Sequence, residues 1–188
     1  GVDFLKYDNC GDHRGRDAVS RYTAMGDAVA AVDRDIVYSI CEWGESNPWE
    51  WGRNVGGQLW RLTDDAVATW HTDGDDFGLG VADILDRVAA LDIAAAQSPG
   101  AWNDPDMLQV GNGPDSAQSQ HEPTDIERPL SETENRTHFA FWCLLGAPLF
   151  VGTDLTDVSD DVLDLLTNER LLGIDQDPLG LQGTPDRR

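Results

Sequence analysis

Short apolar segments alternate with longer amphipathic segments along most of the chain. The apolar segments predict five β-strands, at residues 2–7, 36–41, 58–63, 101–103 and 148–151. The amphipathic segments carry apolar residues at helical spacing and predict helices at residues 16–32, 77–95, 131–145 and 158–171. Strands that alternate with helices are typical of a parallel α/β sheet. Five strands are fewer than the eight that close a (β/α)8 barrel.

Two local signals mark the second half of the chain. Residues 104–129 are rich in Gly, Pro, Ser, Asp and Gln. A loop of this length in a compact domain is usually functional or an insertion. Ser131 and Glu134 have the spacing of a capping box, which predicts that a helix begins at this point.

Composition narrows the class of protein. The chain has 188 residues, enough for one domain with a sizeable core, and its formal net charge is -22. Such a charge repels phosphates and therefore argues against a nucleic-acid partner or an anionic membrane surface. The chain is 40% hydrophobic and contains seven tryptophans, so it is not a disordered acidic segment. No apolar run is long enough to span a membrane.

The charged residues also have an unusual composition. Lys6 is the only lysine, and aspartate is abundant. This pattern predicts a protein that works in high salt, where ions screen the repulsion between its acidic groups. An acidic extracellular protein is the alternative, and the sequence does not decide between a cytoplasmic and a secreted location.

Polar side chains cluster where the predicted strands end. The first four strands run into the segments KYDNC, CEW, WRLTDD and WNDPDM, which begin at residues 6, 41, 60 and 102. Ligands of parallel α/β folds bind beyond the carboxyl ends of the strands. Carboxylates that accept from hydroxyls and flat aromatic rings that stack on C–H surfaces suit a sugar, so this rim is a candidate carbohydrate site.

Two carboxylates on such a rim can hydrolyse a glycosidic bond, one as the nucleophile and the other as the acid. The nucleophile must stay ionised, and a nearby cation favours the ionised form. Lys6 and Asp8 are two positions apart in a strand, so their side chains lie on the same face. From the residues alone, a surface Lys–Asp pair without a catalytic role is an equally good interpretation.

Six ordered segments closely resemble glycoside hydrolase family 27, the family of α-galactosidases and α-N-acetylgalactosaminidases. They are FLKYDNC, SICEWGESNPWEWG, QLWRLTDDA, GAWNDPDMLQVGNG, ENRTHFAFWCLLGAPLFVGTDL and NERLLGIDQDPLGLQG. The resemblance implies an α/β fold, a partial (β/α)8 TIM barrel of about strands 4 to 8. It also implies that residues 1–188 are the C-terminal part of a glycosidase catalytic barrel.

The resemblance also implies the two catalytic roles. Asp8 matches the nucleophile that forms a glycosyl-enzyme, and Lys6 matches a lysine that bonds sugar hydroxyls beside it. Asp65 matches the acid/base, and Arg61 matches an arginine at the 2-position of the sugar. Asp64 is the rival for the acid role, although the motif spacing favours Asp65.

Five further residues match positions around the sugar. Glu42 and Trp43 match the 2-hydroxyl side, Cys10 the pocket wall, and Asp106 and Met107 the vicinity of the sugar. Holding the WNDPD turn is the alternative role for Asp106. A carboxylate at position 42 suits a free 2-hydroxyl and favours galactose, while N-acetylgalactosamine and β-L-arabinopyranose stay open as alternatives.

Metal and cofactor chemistry are not predicted. The four histidines, His13, His71, His121 and His138, lack ligand spacing. The acidic clusters Asp104-Pro105-Asp106 and Asp73-Gly74-Asp75-Asp76 do not match a calcium loop. Trp49 and Trp51 fit either the rim of the site or an anchor for their own loop.

Three departures from the family pattern are expected. The N-terminal strands, with an Asp-Asp pair that binds the 4- and 6-hydroxyls, and the C-terminal β-sandwich lie outside this sequence. The usual disulfide partners of Cys10 and Cys41 are missing as well. The first residues look like a strand entering mid-fold, which predicts a fragment. A silent fragment, a sugar-binding module and a divalent-metal barrel enzyme are therefore the rival interpretations, and exposed strand edges make a homo-oligomer an expectation.

Overall fold

Four parallel strands form the central sheet. The computed structural model describes residues 1–72, 78–113 and 129–186. The strands are β1 Phe4–Asp8, β2 Val37–Cys41, β3 Leu59–Arg61 and β4 Trp102–Asp104. They pair in the order β1-β2-β3-β4, and every pair is parallel. The predicted parallel α/β sheet is confirmed.

The prediction of a fifth strand is wrong. Residues 148–151 form no strand, and Val151 makes a single parallel bridge to Leu108. Pro148 lacks a backbone N–H and cannot donate to a ladder. The segment still lies close to the sheet, because the rings of Phe4 and Phe150 are 5.4 Å apart.

Six helices pack around this sheet in the described ranges. They are α1 Ala18–Ala30, α2 Pro48–Trp51, α3 Val81–Ala90, α4 Glu132–Leu145, α5 Asp160–Leu166 and α6 Glu169–Asp175. The capping box predicted before α4 is confirmed: the Ser131 hydroxyl accepts from the Glu134 N–H, and the Glu134 carboxylate accepts from the Ser131 N–H. None of these helices is long and apolar enough to cross a membrane.

Two predicted helices are shorter than their apolar patterns indicated. The one predicted at 77–95 runs only over Val81–Ala90, because Leu91 is extended, and a 3₁₀ turn follows at Ala94–Ala96. The one predicted at 158–171 is divided into α5 and α6. The Asn168 side chain accepts from the N–H groups of Arg170 and Leu171 and so begins a new helix.

The two faces of the sheet have different environments. Tyr38, Ile40 and Trp60 are fully buried and belong to the main hydrophobic core, where they join Tyr22 of α1 and Trp142 of α4. The alternating positions on the other face carry the polar side chains near the strand ends. Packing therefore fixes the strands from the helix side, while the opposite face presents candidate chemistry.

Candidate active site

Strand register places four polar side chains in one row. Asp8 of β1 pairs with Cys41 of β2, and Arg61 of β3 pairs with Asp104 of β4. The pairing of Ile40 with Trp60 brings Cys41 beside Arg61. Because the strands are parallel, all four side chains lie at the carboxyl edge of the sheet. The sequence prediction that the strand ends converge is confirmed by this register.

Lys6 and Asp8 form a partly exposed ion pair on one face of β1. The distance from Lys6 Nζ to Asp8 Oδ1 is 3.7 Å, and the two side chains are 39% and 47% exposed. Burial alone would lower the pKa of Lys6, but the nearby Cys41, Asp8 and Asp106 groups outweigh burial, so the pKa is raised above its ordinary value. A positive charge therefore stays beside a carboxylate that solvent and ligands can reach.

The Arg61 guanidinium is a buried charge, with 1% of the side chain exposed. Its Nη1 is 2.9 Å from Asp106 Oδ1, and its Nη2 is 3.0 Å from Asp65 Oδ1. Burial disfavours the charged form, but the carboxylates of Asp106, Asp104 and Asp65 outweigh it and raise the pKa of Arg61. Arg61 is thus a permanent cation that joins two carboxylates.

Asp64 and Asp65 point to different partners. Asp65 turns toward Arg61 and is 34% exposed. Asp64 is 57% exposed, and its Oδ2 lies 3.2 Å from Nη1 of Arg87 on helix α3. The geometry supports Asp65 over Asp64 for a role beside Arg61.

Two aspartates of the WNDPD turn lie beneath Arg61. Asp104 is almost fully buried, and its Oδ1 accepts from the Asp106 N–H at 2.9 Å. Burial raises the pKa of Asp104 to about 6, although the nearby Arg61 opposes this. The motif indicates Asp106 for the sugar site but gives no sign of Asp104, whose position becomes evident only from the pairing of β4 with β3.

The loop after β2 buries one of the predicted sugar-binding residues. Glu42 is fully buried, its Oε2 accepts from the Ser46 N–H at 2.8 Å, and its Oε1 has no protein partner. Burial raises the pKa of Glu42 to about 7, despite its bond to Ser46. Trp43 is half-buried and has a φ of 58°, in the left-handed region that non-glycine residues rarely adopt. Contact of either residue with a sugar stays a prediction.

The same loop contains interactions that the sequence did not indicate. The Asn9 side chain, next to Asp8, donates to Glu45 Oε2 at 3.1 Å. Trp51 donates from Nε1 to the Ser46 carbonyl at 2.8 Å, and its ring lies 5.6 Å from that of Tyr22. Trp51 therefore anchors its own loop, one of the two roles left open for it. Residues 36 positions apart, such as Asn9 and Glu45, leave no sequence signal.

Cys10 and Met107 are the remaining predicted site residues. Cys10 is exposed, Cys41 and Cys143 are buried, and all three thiols are free. Met107 is half-buried and packs against Gly152, since a Cβ there would meet its Sδ at 2.6 Å. The distance from Arg61 Nη1 to Cys41 Sγ is 3.9 Å, so this thiol lies within the polar row.

His138 and His71 each contact another protein residue. His138 is buried, its Nε2 accepts from the Gln109 N–H, and burial lowers its pKa to about 3. His71 lies 2.9 Å from Asp83. His121 and the Asp73–Asp76 cluster fall outside the described ranges. Within those ranges, no group of three or more His, Cys, Asp or Glu side chains is arranged to hold a metal ion.

Comparison with known proteins identifies the family. The family model described as Alpha galactosidase A (Melibiase_2) matches residues 1–177. Alpha-galactosidase A of Cellvibrio japonicus is 39% identical over 97% of this chain and 41% of its own length. Alpha-galactosidase of Oryza sativa is also 39% identical, over 97% of this chain and 37% of its own length.

Solved structures show the same fold. Alpha-galactosidase I of Mortierella vinacea has a TM-score of 0.83 and 27% identity, over 98% of this chain and 46% of that one. The Saccharomyces cerevisiae enzyme with raffinose has a TM-score of 0.83 and 26% identity, over 97% of this chain and 40% of that one.

The sheet, its helices and these neighbours define an α/β protein, an incomplete (β/α)8 barrel. The chain belongs to the Alpha galactosidase A family. It spans about two fifths of the length of the curated relatives it matches.

Proposed function

We propose that this chain carries the catalytic carboxylates of a retaining α-galactosidase, with Asp8 as the nucleophile and Asp65 as the acid/base. One observation carries the proposal: each carboxylate has its own cation at the carboxyl edge of one parallel sheet. Lys6 lies 3.7 Å from Asp8, and Arg61 lies 3.0 Å from Asp65. The relatives named above are α-galactosidases, and one of them was solved with the galactoside raffinose.

The proposed reaction has two steps. Asp8 attacks the anomeric carbon of a terminal α-galactoside, while Asp65 gives its proton to the departing glycosidic oxygen. Asp65 then takes a proton from water, and the water oxygen attacks the anomeric carbon and releases Asp8. Each step inverts the anomeric centre, so galactose leaves with its α configuration retained. No cofactor or metal takes part in this scheme.

The other site residues hold the sugar in this proposal. Lys6 donates to its hydroxyls, and the segments around Cys10, Trp43 and Met107 shape the pocket. Arg61 is only 1% exposed and is engaged by Asp65 and Asp106, so it supports the site from behind. We assign the buried Glu42 carboxylate to the 2-hydroxyl side of the sugar, where a carboxylate suits a free hydroxyl better than an acetamido group. That arrangement favours galactose over N-acetylgalactosamine, and β-L-arabinopyranose is a further candidate because it shares the ring stereochemistry.

The proposal assigns the activity to the whole protein and assigns residues 1–188 to the C-terminal part of its catalytic barrel. For the chain alone, a sugar-binding or silent module is the second candidate. Phe4 and Phe150 are 39% and 43% exposed although they face each other, so this side of the sheet is open.

We also propose that the protein works in high salt and does not bind nucleic acid, as its charge of -22 suggests.

Hydrolysis of an aryl α-galactoside tests the proposal. In the protein that carries this chain, Asp8→Asn should reduce kcat/KM by a factor on the order of 10⁴ or more, because no other group forms the glycosyl-enzyme. Asp35→Asn, at an exposed position before β2, is the matched control and should retain normal activity. Normal turnover by Asp8→Asn would refute the assignment.

A further inference from the structure

Every polar atom of Asp106 already has a protein partner. Its N–H donates to Asp104 Oδ1, and its carbonyl accepts from Trp142 Nε1 at 2.7 Å. Its Oδ1 lies 2.9 Å from Arg61 Nη1, and its Oδ2 accepts from the Ala66 N–H at 2.7 Å. Only 5% of the residue is exposed. Each carboxylate oxygen could accept a second hydrogen bond, but at 5% exposure the existing partners leave little of this carboxylate open to a sugar hydroxyl.

Both interactions of the Asp106 carboxylate lead to Asp65. Arg61 extends from Asp106 to Asp65 Oδ1, and Ala66 directly follows Asp65 in the chain. Asp106 thus restrains Asp65 twice, once through the Arg61 side chain and once through the next peptide group. Because Asp106 lies 40 residues from Ala66, this restraint joins the end of β4 to the end of β3.

We propose that Asp106 is a positioning residue that fixes the proton-donating carboxyl of Asp65, rather than a residue that binds the sugar. This inference rests on the proposed function. A proton donor must lie within hydrogen-bond reach of the glycosidic oxygen, and small displacements reduce its efficiency. The backbone of Asp106 has a φ of 85°, a region that aspartate tolerates better than most residues. Its bonds to Asp104 and Trp142 hold the turn in that conformation.

Asp106→Asn probes this role sharply. The asparagine oxygen can still accept from the Ala66 N–H, but its NH₂ group then faces the Arg61 guanidinium, so two donors oppose each other. Loss of one hydrogen bond to a charged group corresponds to roughly a 10- to 100-fold effect. Asp83→Asn is the matched control: Asp83 also accepts from a backbone N–H, that of Thr72, and from a basic ring, that of His71, and neither partner is a proposed site residue.

Two substrates with different leaving groups distinguish a positioning role of Asp106 from a sugar-binding role. The quantity compared is kcat/KM, which reports on the first chemical step. For phenyl α-galactoside, whose leaving group needs a proton, we expect Asp106→Asn to lower kcat/KM by roughly 10- to 100-fold. For 2,4-dinitrophenyl α-galactoside, which needs little protonation, we expect a change within about threefold. Inhibition by galactose should be unchanged. Equal losses for both substrates with weaker galactose inhibition would overturn the proposal, and so would normal rates for both.

Two further measurements keep the inference testable if Asp106→Asn folds poorly or if the protein proves inactive. Trp142→Phe removes the indole N–H that bonds the Asp106 carbonyl together with part of a buried ring. In the fraction that folds, it should show the same leaving-group dependence more weakly. Nitrogen-15 NMR of the Arg61 guanidinium needs no activity: rotation of its Nη groups should be slow in the wild type and faster in Asp106→Asn. Unchanged rotation would refute the restraint itself, whereas an inactive wild type would refute only the proposed function.

Discussion

The Arg61 guanidinium reaches forward along the chain to the Asp65 carboxylate, with 3.0 Å between Nη2 and Oδ1. The same nitrogen is 3.3 Å from the Thr63 carbonyl and 3.0 Å from the Asp64 carbonyl. Arg61 therefore folds the segment after β3 around itself. This wrapping turns the Asp65 side chain toward the site and leaves the Asp64 side chain to Arg87.

Asp65→Asn should show the behaviour expected when an acid/base is removed. Substrates with poor leaving groups should lose roughly 10²- to 10⁴-fold in kcat/KM, because nothing protonates the departing oxygen, and activated aryl galactosides should lose much less. Added azide should restore turnover, since it attacks the glycosyl-enzyme without base assistance. Asp64→Asn is the control and should behave like the wild type. If Asp64→Asn showed the azide rescue instead, the roles of the two residues would be reversed.

Glu42 should make stability depend on pH. Burial raises its pKa from 4.5 to about 7 in the folded protein, so the folded state holds a proton that the unfolded chain releases. Its stabilising contribution is complete below about pH 4.5 and is lost as pH rises through 7. Between pH 5 and pH 8 this costs the wild type about 2 kcal/mol of unfolding free energy.

Glu42→Gln removes the titration while keeping an acceptor for the Ser46 N–H. The free energy of unfolding, measured in urea, should therefore change between pH 5 and pH 8 by about 2 kcal/mol less in Glu42→Gln than in the wild type. Asp104, whose pKa is also raised, contributes to both proteins alike and cancels in the comparison. An identical pH dependence in the two proteins would contradict the buried protonated state.

Gly44 allows the loop after β2 to approach β3. Its φ is 78°, and a Cβ there would lie 2.1 Å from the Leu62 carbonyl oxygen. Gly11 has a similar φ of 85°, but a Cβ there would meet nothing within 4 Å. Gly11→Ala should cost about 1 kcal/mol of unfolding free energy, the cost of the backbone conformation, whereas Gly44→Ala should cost about 3 kcal/mol or more. Equal losses in urea unfolding would show that the loop can move away without penalty.

Salt should stabilise the folded chain. The charge of -22 repels itself at low ionic strength, and raising KCl from about 0.1 M to about 1 M shortens the screening length from roughly 10 Å to roughly 3 Å. We expect the melting temperature to rise over this range. A variant with Asp27, Asp33 and Asp35 changed to Asn, all exposed, should gain less from salt. A melting temperature that does not rise would contradict the high-salt interpretation.

Local rules predicted the parts of the fold that depend on neighbouring residues. Strand alternation correctly put Lys6 and Asp8 on one face, and the spacing of Ser131 and Glu134 marked the start of α4. The apolar pattern failed near residue 168, because a single side-chain cap divided a continuous amphipathic stripe into two helices. It also failed at 148–151, where an apolar segment makes only one bridge.

Motif resemblance supplied the candidate residues of the site but not their orientations. The choice between Asp64 and Asp65 depends on Arg87, which lies 23 positions from Asp64. The partners of Asp106 come from β3, from the segment after it and from α4, so only the folded chain shows that its oxygens are occupied. Burial of Glu42 likewise depends on the path of the loop through Ser46.

Trapping the glycosyl-enzyme would identify the nucleophile itself. An activated 2-fluoro α-galactoside should react with the nucleophile quickly, while the fluorine slows release of the sugar. After proteolysis and mass spectrometry, we expect a mass gain of one fluorogalactosyl group on Asp8 and none in Asp8→Asn. A label on another carboxylate would contradict it, as would turnover that inverts the anomeric centre without any label.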